Sequence, residues 1–315
     1  MFLRSCNNLF MYNQAADAII TAKYIAGERK MWPTQTPIAT WALDELIRRA
    51  LEEDIGPGDL TTAAVVPAAA RAAGVFLCKE EGVVAGLFVS ARVFALLDPA
   101  GRFEARVAEG AAVGPGDVLA EVEGPARPLL TGERVALNFL RHLSGIATRT
   151  ARMVALVKDY PVRIVDTRKT TPGLRALEKY AVRAGGGYNH RFGLYDGVLI
   201  KDNHIRAAGG ITAALRAVRS AVPHTVKIEV EVEDLAGVKE ALAAGADAIL
   251  LDNMPPSVMR EAVRLVGGRA VLEASGGITE ENVVEVAATG VDIISVGALT
   301  HSVRSLDISL ELWQA

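Results

Sequence analysis

Cysteine is scarce in this chain: Cys6 and Cys78 are the only two. Two thiols make neither a disulfide framework nor a four-ligand zinc centre, and no HxH, HExxH or Cys/His cluster offers another cage for tightly bound metal. The chain therefore reads as a reduced, cytoplasmic protein. Basic residues are in no excess, with 34 Lys and Arg against 37 Asp and Glu and a formal charge of -3. That balance argues against a nucleic-acid binder, which normally carries a basic global footprint. Long apolar runs are also missing; none reaches the ~18 residues of a membrane span. The first 35 residues lack the basic start and apolar core of a secretory signal. They read as a leader of unclear role, either a short helix around Ala15 to Ala26 or the product of an upstream start codon.

Apolar side chains, by contrast, make up 50% of the 315 residues, enough for two globular cores at a length where single cores stop growing. The segment TWALDELIRRALEED (40–54) places apolar residues at 43, 46, 47 and 50, the spacing of an amphipathic helix. From there to about residue 130, short β-prone runs alternate with glycine and proline. They predict an antiparallel sheet with turns at Gly82, Gly114-Pro115-Gly116 and Gly124-Pro125, and a hairpin over EGAAVGPGDVLAEVEG. Residues 132–158 predict a helix with Glu133 near its positive end and an interruption at Ser144-Gly145.

The rhythm then changes. Strands are expected at 162–167, 197–202, 225–232, 248–253, 270–276 and 293–297, with helices at 173–184, 207–221, 233–244, 256–266 and 280–289. Such alternation builds parallel βαβ units. AAGADAILLDN (243–253) and AATGVDIISVG (287–297) are alike, as stacked units require. Six units point to a barrel with fewer strands than the eight-stranded type, although the repeat count leaves the larger barrel open.

Active sites of such barrels gather at the C-terminal strand ends. Those ends carry Asp166 and Arg168, Lys201 and Asp202, Glu231, Asp252, Ser275 and Gly297. Arg168, Lys169, His190, Arg191 and Lys201 together imply a small, highly anionic ligand. Alternation along KIEVEVE puts Lys227, Glu229, Glu231 and Glu233 on one face. Carboxylates in a barrel lumen need cationic partners, for which Lys201 and Lys227 are the candidates. Glu231, nearer the strand end, is the functional choice, and Glu229 is equally readable as a structural ion pair. Ser275-Gly276-Gly277, before a helix beginning near Thr279, and Gly297-Ala298 suit a phosphate cradle.

Seven segments together resemble the quinolinate phosphoribosyltransferase family, the decarboxylating nicotinate-nucleotide pyrophosphorylases. They are DIGPGDLTT (54–62), GERVALNFLRHLSGIAT (132–148), DTRKTTPGLRALEKYAVRAGGGYNHR (166–191), LIKDNH (199–204), EVEVE (229–233), LLDN (250–253) and EASGGI (273–278). The resemblance implies an N-terminal α/β sandwich over 36–143, rejoined by the segment 301–315, and an incomplete, six-stranded α/β barrel over 144–300. It also implies a homodimer or higher assembly in which Arg134 is donated across the interface.

The implied reaction joins quinolinate to 5-phosphoribosyl 1-pyrophosphate (PRPP), giving nicotinate mononucleotide, pyrophosphate and carbon dioxide. By the same resemblance, Arg134, Arg168, His190, Arg191 and Lys201 hold quinolinate. Lys169 takes the donor's phosphates, and Ser275, Gly276, Gly277, Gly297 and Ala298 its 5-phosphate end. Glu231 and Asp252 face the ribose and a Mg²⁺ that arrives with PRPP; no organic cofactor is implied. Lys169, Lys201, Glu231 and Asp252 form the implied catalytic set. Competing readings are a related phosphoribosyltransferase on another heterocyclic acid, a sugar-phosphate isomerase or lyase, and a non-catalytic anion-binding protein on the same scaffold.

Overall fold

The computed structural model describes residues 38–314. The leader and its expected helix lie outside the described residues.

Helix α1 (Thr40–Ile55) buries Leu43, Ile47 and Leu51 along one stripe, the periodicity that its sequence announces. Its buried Asp44 receives the Arg92 guanidinium in a two-pronged contact at 2.6 and 2.7 Å. Arg92 belongs to α3 (Leu87–Leu97), which follows the short α2 (Leu60–Val65). Asp59 caps α2 by accepting from the Thr62 amide at 2.9 Å, an N-cap role that carboxylates fill well. Neither α2 nor α3 was expected from the β-prone reading of this region.

The first sheet runs in the order β12-β1-β5-β3, with β1 at Arg71–Cys78, β3 at Arg102–Ala105, β5 at Val118–Pro125 and β12 at Ile308–Gln314. All of its pairings are antiparallel. The C-terminal strand thus returns some 230 residues along the chain to pair with β1, with Ile308 opposite Cys78 and Gln314 opposite Ala72. The expected hairpin over EGAAVGPGDVLAEVEG does not form. Its first arm, β4 (Ala112–Val113), pairs instead with β2 (Gly82–Val83), so Gly82 lies in a strand and not at a turn. Glycine-rich spacing marks where a chain bends, but not which strand it then meets.

Strand β5 passes directly into α4 (Ala126–Leu156), a continuous helix of 31 residues. Two expectations fail here. Glu133 sits two turns inside the helix, away from its N-terminus, and Ser144-Gly145 causes no interruption. The buried Ser144 hydroxyl accepts from the Ala85 amide at 3.0 Å, while a Cβ on Gly145 would stand 2.2 Å from the Arg304 carbonyl oxygen. Small residues are there for close packing, not for a bend.

The second sheet is parallel throughout, in the order β6-β11-β10-β9-β8-β7. These strands are β6 (Arg163–Val165), β7 (Val198–Ile200), β8 (Ile228–Val232), β9 (Ala248–Asp252), β10 (Val271–Ser275) and β11 (Ile293–Ser295). β6 and β7 are edges and do not pair with each other, so this is an incomplete six-stranded α/β barrel. The intervening helices are α5 (Arg175–Ala184), α6 (Asp202–Ala208), α7 (Ile211–Ala221), α8 (Leu235–Ala243), α9 (Pro256–Val266) and α10 (Val283–Ala287), and α11 (Ala298–His301) follows β11. The helix expected near Thr279 starts only at Val283. Among the described residues, no helix is long and apolar enough to cross a membrane.

Candidate active site

A cavity of about 600 Å³ opens at the C-terminal ends of the parallel strands. Arg168, Lys169, His190, Arg191, Lys201, Glu231, Asp252, Ser275, Gly276, Gly277, Gly297 and Ala298 all line it. Arg134 does not; it lies exposed on α4. Asp166, just after β6, is fully buried and does not line the cavity. There it meets the Lys179 ammonium and the Asn189 amide, and it accepts from the His190 amide at 3.0 Å. It anchors the Asn189-His190 turn and does not reach the ligand space.

The loop bearing Arg168 and Lys169 is held from three sides. Thr300 donates its hydroxyl to the Lys169 carbonyl at 2.7 Å. Arg175 donates to the Arg168 carbonyl at 3.3 Å and to the Thr170 hydroxyl at 3.0 Å. Glu178 accepts from the Thr171 amide at 3.0 Å. The Arg168 Nε is itself buried without a hydrogen-bond partner. An uncompensated guanidinium N–H inside a cavity is costly unless an anion arrives to take it.

On β8, Ile228, Val230 and Val232 are buried while Glu229 and Glu231 are partly buried on the opposite face, and Glu231 lines the cavity. Glu231 meets the Lys201 ammonium directly. Lys227 does not partner a lumen carboxylate as expected: it stands just before β8, at the end away from the cavity, 84% exposed, and pairs with Asp247 at 2.9 Å. Glu229 instead finds His190, whose Nε2 lies 3.1 Å away.

His190 is engaged at both ring nitrogens. Nδ1 accepts from the Arg191 amide at 2.7 Å, and Nε2 also lies 3.5 Å from Glu273. Burial works against a charged ring, but the Glu229 hydrogen bond and the Glu273 carboxylate outweigh it and raise the pKa. Charging the ring would therefore displace the Arg191 contact, because Nδ1 would then carry its own proton. Burial, followed by the neighbouring Arg168, lowers the pKa of Arg191, and its guanidinium donates to the Gly197 carbonyl at 3.0 Å.

The far wall is a glycine turn. Gly276 and Gly277 have φ of +91° and +62°, and a Cβ on Gly276 would fall 2.2 Å from the Asn253 Oδ1. Only glycine meets both demands. The turn is closed by Asn282, which donates to the Gly277 carbonyl at 2.8 Å and accepts from the Thr279 amide at 2.9 Å. Ser295 donates to the Ser275 hydroxyl at 3.0 Å, joining the last two strand ends.

Thr167, Ser295 and His301 line the cavity without having been singled out from the sequence, and so do two residues of more consequence. Asn253 adopts φ +53° and donates to Asp252 at 3.0 Å; an Asn directly after a strand is the available signal, since Asn tolerates the left-handed region. Glu273 looks like one polar letter in an apolar strand, and nothing local distinguishes it from a satisfied core residue. Among the described residues, His190, Glu229 and Glu273 form the group whose ligand atoms lie within 4.8 Å of one another. Their direct contacts account for that proximity without a metal.

The arrangement suits a polyanion at one end and a phosphate at the other, with carboxylates between. Comparison with known proteins agrees. The family model "Quinolinate phosphoribosyl transferase, N-terminal domain" matches residues 59–144, and the corresponding C-terminal model matches residues 146–311. A Bacillus subtilis protein named as a probable nicotinate-nucleotide pyrophosphorylase [carboxylating] is 50% identical over 270 residues, covering 86% of this chain and 93% of that protein. Quinolinate phosphoribosyltransferase [decarboxylating] 1 of Nicotiana glauca is 42% identical over 292 residues, covering 87% and 83%. The crystal structure of NadC from Streptococcus pyogenes superposes with a TM-score of 0.86 at 44% identity, covering 89% of this chain and 100% of that one.

Proposed function

The chain belongs to the quinolinate phosphoribosyltransferase family, and on that premise we propose how its cavity carries out the family's reaction. The protein is a pentosyltransferase of NAD biosynthesis. It joins quinolinate to PRPP with decarboxylation, giving nicotinate mononucleotide, pyrophosphate and carbon dioxide. The observation that carries the assignment of roles is the convergence of Arg168, Arg191 and Lys201 on one cavity with Glu231, Asp252 and the Ser275–Gly277 turn.

Quinolinate's adjacent carboxylates lie against Arg168, Arg191 and Lys201, beside His190. Guanidinium forks hold such groups with defined geometry. The buried, unpartnered Arg168 Nε supports this placement. Lys169 faces the donor's phosphates, and the backbone of Gly276, Gly277, Gly297 and Ala298 receives its 5-phosphate with the Ser275 hydroxyl. Mg²⁺ enters with the donor as part of the substrate. Lys201 already engages Glu231, and Asn253 engages Asp252, which favours water-bridged contact over direct ligation.

As the bond to pyrophosphate breaks, positive charge grows at the ribose C1, where Glu231 and Asp252 stabilise it. The ring nitrogen then attacks, and the resulting cation stabilises the electron pair left when the neighbouring carboxylate departs. Alignment of the two reactants contributes up to about 7–11 kcal/mol. The sequence needs no protein nucleophile and no organic cofactor, and fits a cytoplasmic enzyme acting on small molecules.

Arg134 completes the quinolinate pocket of a second subunit. Leu130, one helical turn before it, is exposed, as are Leu60 and Val65 on α2. Leu194 and Tyr195, just beyond Arg191, are 74% and 80% exposed. Apolar surface at both places suits pairing between copies of this chain.

Incubation with quinolinate, PRPP and Mg²⁺ tests the reaction. Nicotinate mononucleotide, pyrophosphate and carbon dioxide are expected, with no turnover of nicotinate. A folded protein that makes none of these products overturns the assignment.

A further inference from the structure

Decarboxylation leaves an electron pair on the ring carbon, and a proton must reach that carbon before product leaves. The following inference rests on the reaction proposed above and concerns where the proton comes from. The polar groups around the quinolinate end differ in their freedom to give one. The Lys201 ammonium is engaged with Glu231. His190 uses Nδ1 as an acceptor for the Arg191 amide and turns Nε2 to the carboxylates of Glu229 and Glu273.

Glu273 stands apart. It lies in the middle of β10, two residues below Ser275 on the same face, and is 2% exposed while still lining the cavity. Its Oε1 is buried with no hydrogen-bond partner. Its Oε2 lies 3.5 Å from the His190 Nε2, which itself stands 3.1 Å from Glu229. Glu273 on the cavity floor and the adjoining Glu229 thus share one imidazole.

We propose that Glu273 is kept as a neutral carboxylic acid on the cavity floor and donates its proton to the ring carbon that loses carbon dioxide.

Physical chemistry favours the neutral form. Two carboxylates buried this closely around one imidazole repel each other, and one of the two retains its proton. A second charged carboxylate would also repel the dianionic substrate, which an acid does not. The groups facing Glu273 are Glu229 from β8, His190 from the segment after α5, and the uncharged Ser295 hydroxyl from β11. Burial first, and then Glu229, raise its pKa to about 7, so the acid is populated near neutrality, where general acids work best.

The step balances. The bond from the ring carbon to the carboxylate breaks, carbon dioxide leaves, and the electron pair stays on carbon beside the cationic nitrogen. That pair takes the proton as the Glu273 O–H bond breaks. Glu273 becomes a carboxylate facing His190, and solvent returns a proton once product departs.

Glu273→Gln keeps size and polarity while removing the acid. Product formation from quinolinate and PRPP is expected to fall about a hundredfold or more, with quinolinate affinity measured without PRPP changing by less than about threefold. Glu273→Asp is expected to restore part of the rate. In the unsubstituted protein, difference infrared spectroscopy just below neutral pH should show a carboxylic-acid carbonyl band. Glu273→Gln should lack it.

The proposal is overturned if Glu273→Gln keeps nearly full rate, or if its rate and quinolinate affinity fall together. Absence of the acid band from the unsubstituted protein overturns it too, and that measurement decides even if the variant does not fold. An unsubstituted protein that yields no nicotinate mononucleotide fails the reaction assignment instead, a separate result.

Discussion

Glu178 links two distant parts of the molecule through Thr171. Its carboxylate is fully buried, accepts the Thr171 amide at 3.0 Å through one oxygen and meets the His142 Nε2 at 2.8 Å through the other. Long helix α4 is thereby tied to the loop that presents Arg168 and Lys169. Neither Glu178 nor His142 lines the cavity, so their influence on chemistry is through position.

Removing that link loosens the loop without touching a substrate contact. Glu178→Ala leaves a buried amide unsatisfied, a loss of about 1–3 kcal/mol. The expected result is a lower melting temperature and a KM for PRPP raised more than kcat is reduced. An unchanged KM would show that Arg175 and Thr300 hold the loop without it.

Complementation tests the borrowed cation. Arg134→Ala should fold normally and lose most activity, as should Lys201→Ala. Mixed subunits should regain part of it, because one of their two sites carries neither substitution. No recovery after verified subunit exchange would place Arg134 outside a shared site.

The glycine turn gives a steric prediction. In Gly276→Ala the new methyl group would overlap the Asn253 side chain in a backbone of φ +91°. Strain of this kind costs about 1–3 kcal/mol, and the turn must shift to relieve it. We expect weaker PRPP binding by isothermal titration, with quinolinate binding nearly intact. Pairing Gly276→Ala with Asn253→Gly should recover some affinity.

The protonation of Glu273 has a stability signature. The folded state holds its proton up to about pH 7, whereas an unfolded glutamate releases it near the ordinary 4.5. Between these values the folded state binds the extra proton, so stability falls as pH rises and levels off above about 7. Glu273→Gln lacks this dependence. Denaturant titrations across that window should therefore show the variant gaining stability relative to the parent as pH increases; parallel curves would contradict the raised pKa.

Much of the barrel could be read from the chain because its signals are local. Helical stripes, strand runs and helix-ending glycines recur in order, and the strand ends at Lys201, Glu231, Asp252 and Ser275 are fixed once the units stack. The same local signals misled where partners are remote. Gly114-Pro115-Gly116 marks a true turn, yet β4 pairs with β2, a segment about 30 residues earlier. Ser144-Gly145 looks like a helix interruption until the close approach of Arg304 accounts for it.

Alternation along β8 determined that Glu229 and Glu231 share a face, because successive side chains in a strand point to opposite sides. It did not determine their partners. Lys227 lies on the same face but at the far end, and the register of the strands, not the alternation, gives it to Asp247. Likewise the cations between Asp166 and His204 announce an anion, but only the folded barrel brings His190 between Glu229 and Glu273. Those three residues come from separate segments of the chain, and contact across a lumen depends on strand order and tilt, which no local pattern encodes. The kind of ligand was written in the residue types; the proton beneath it was decided by tertiary structure.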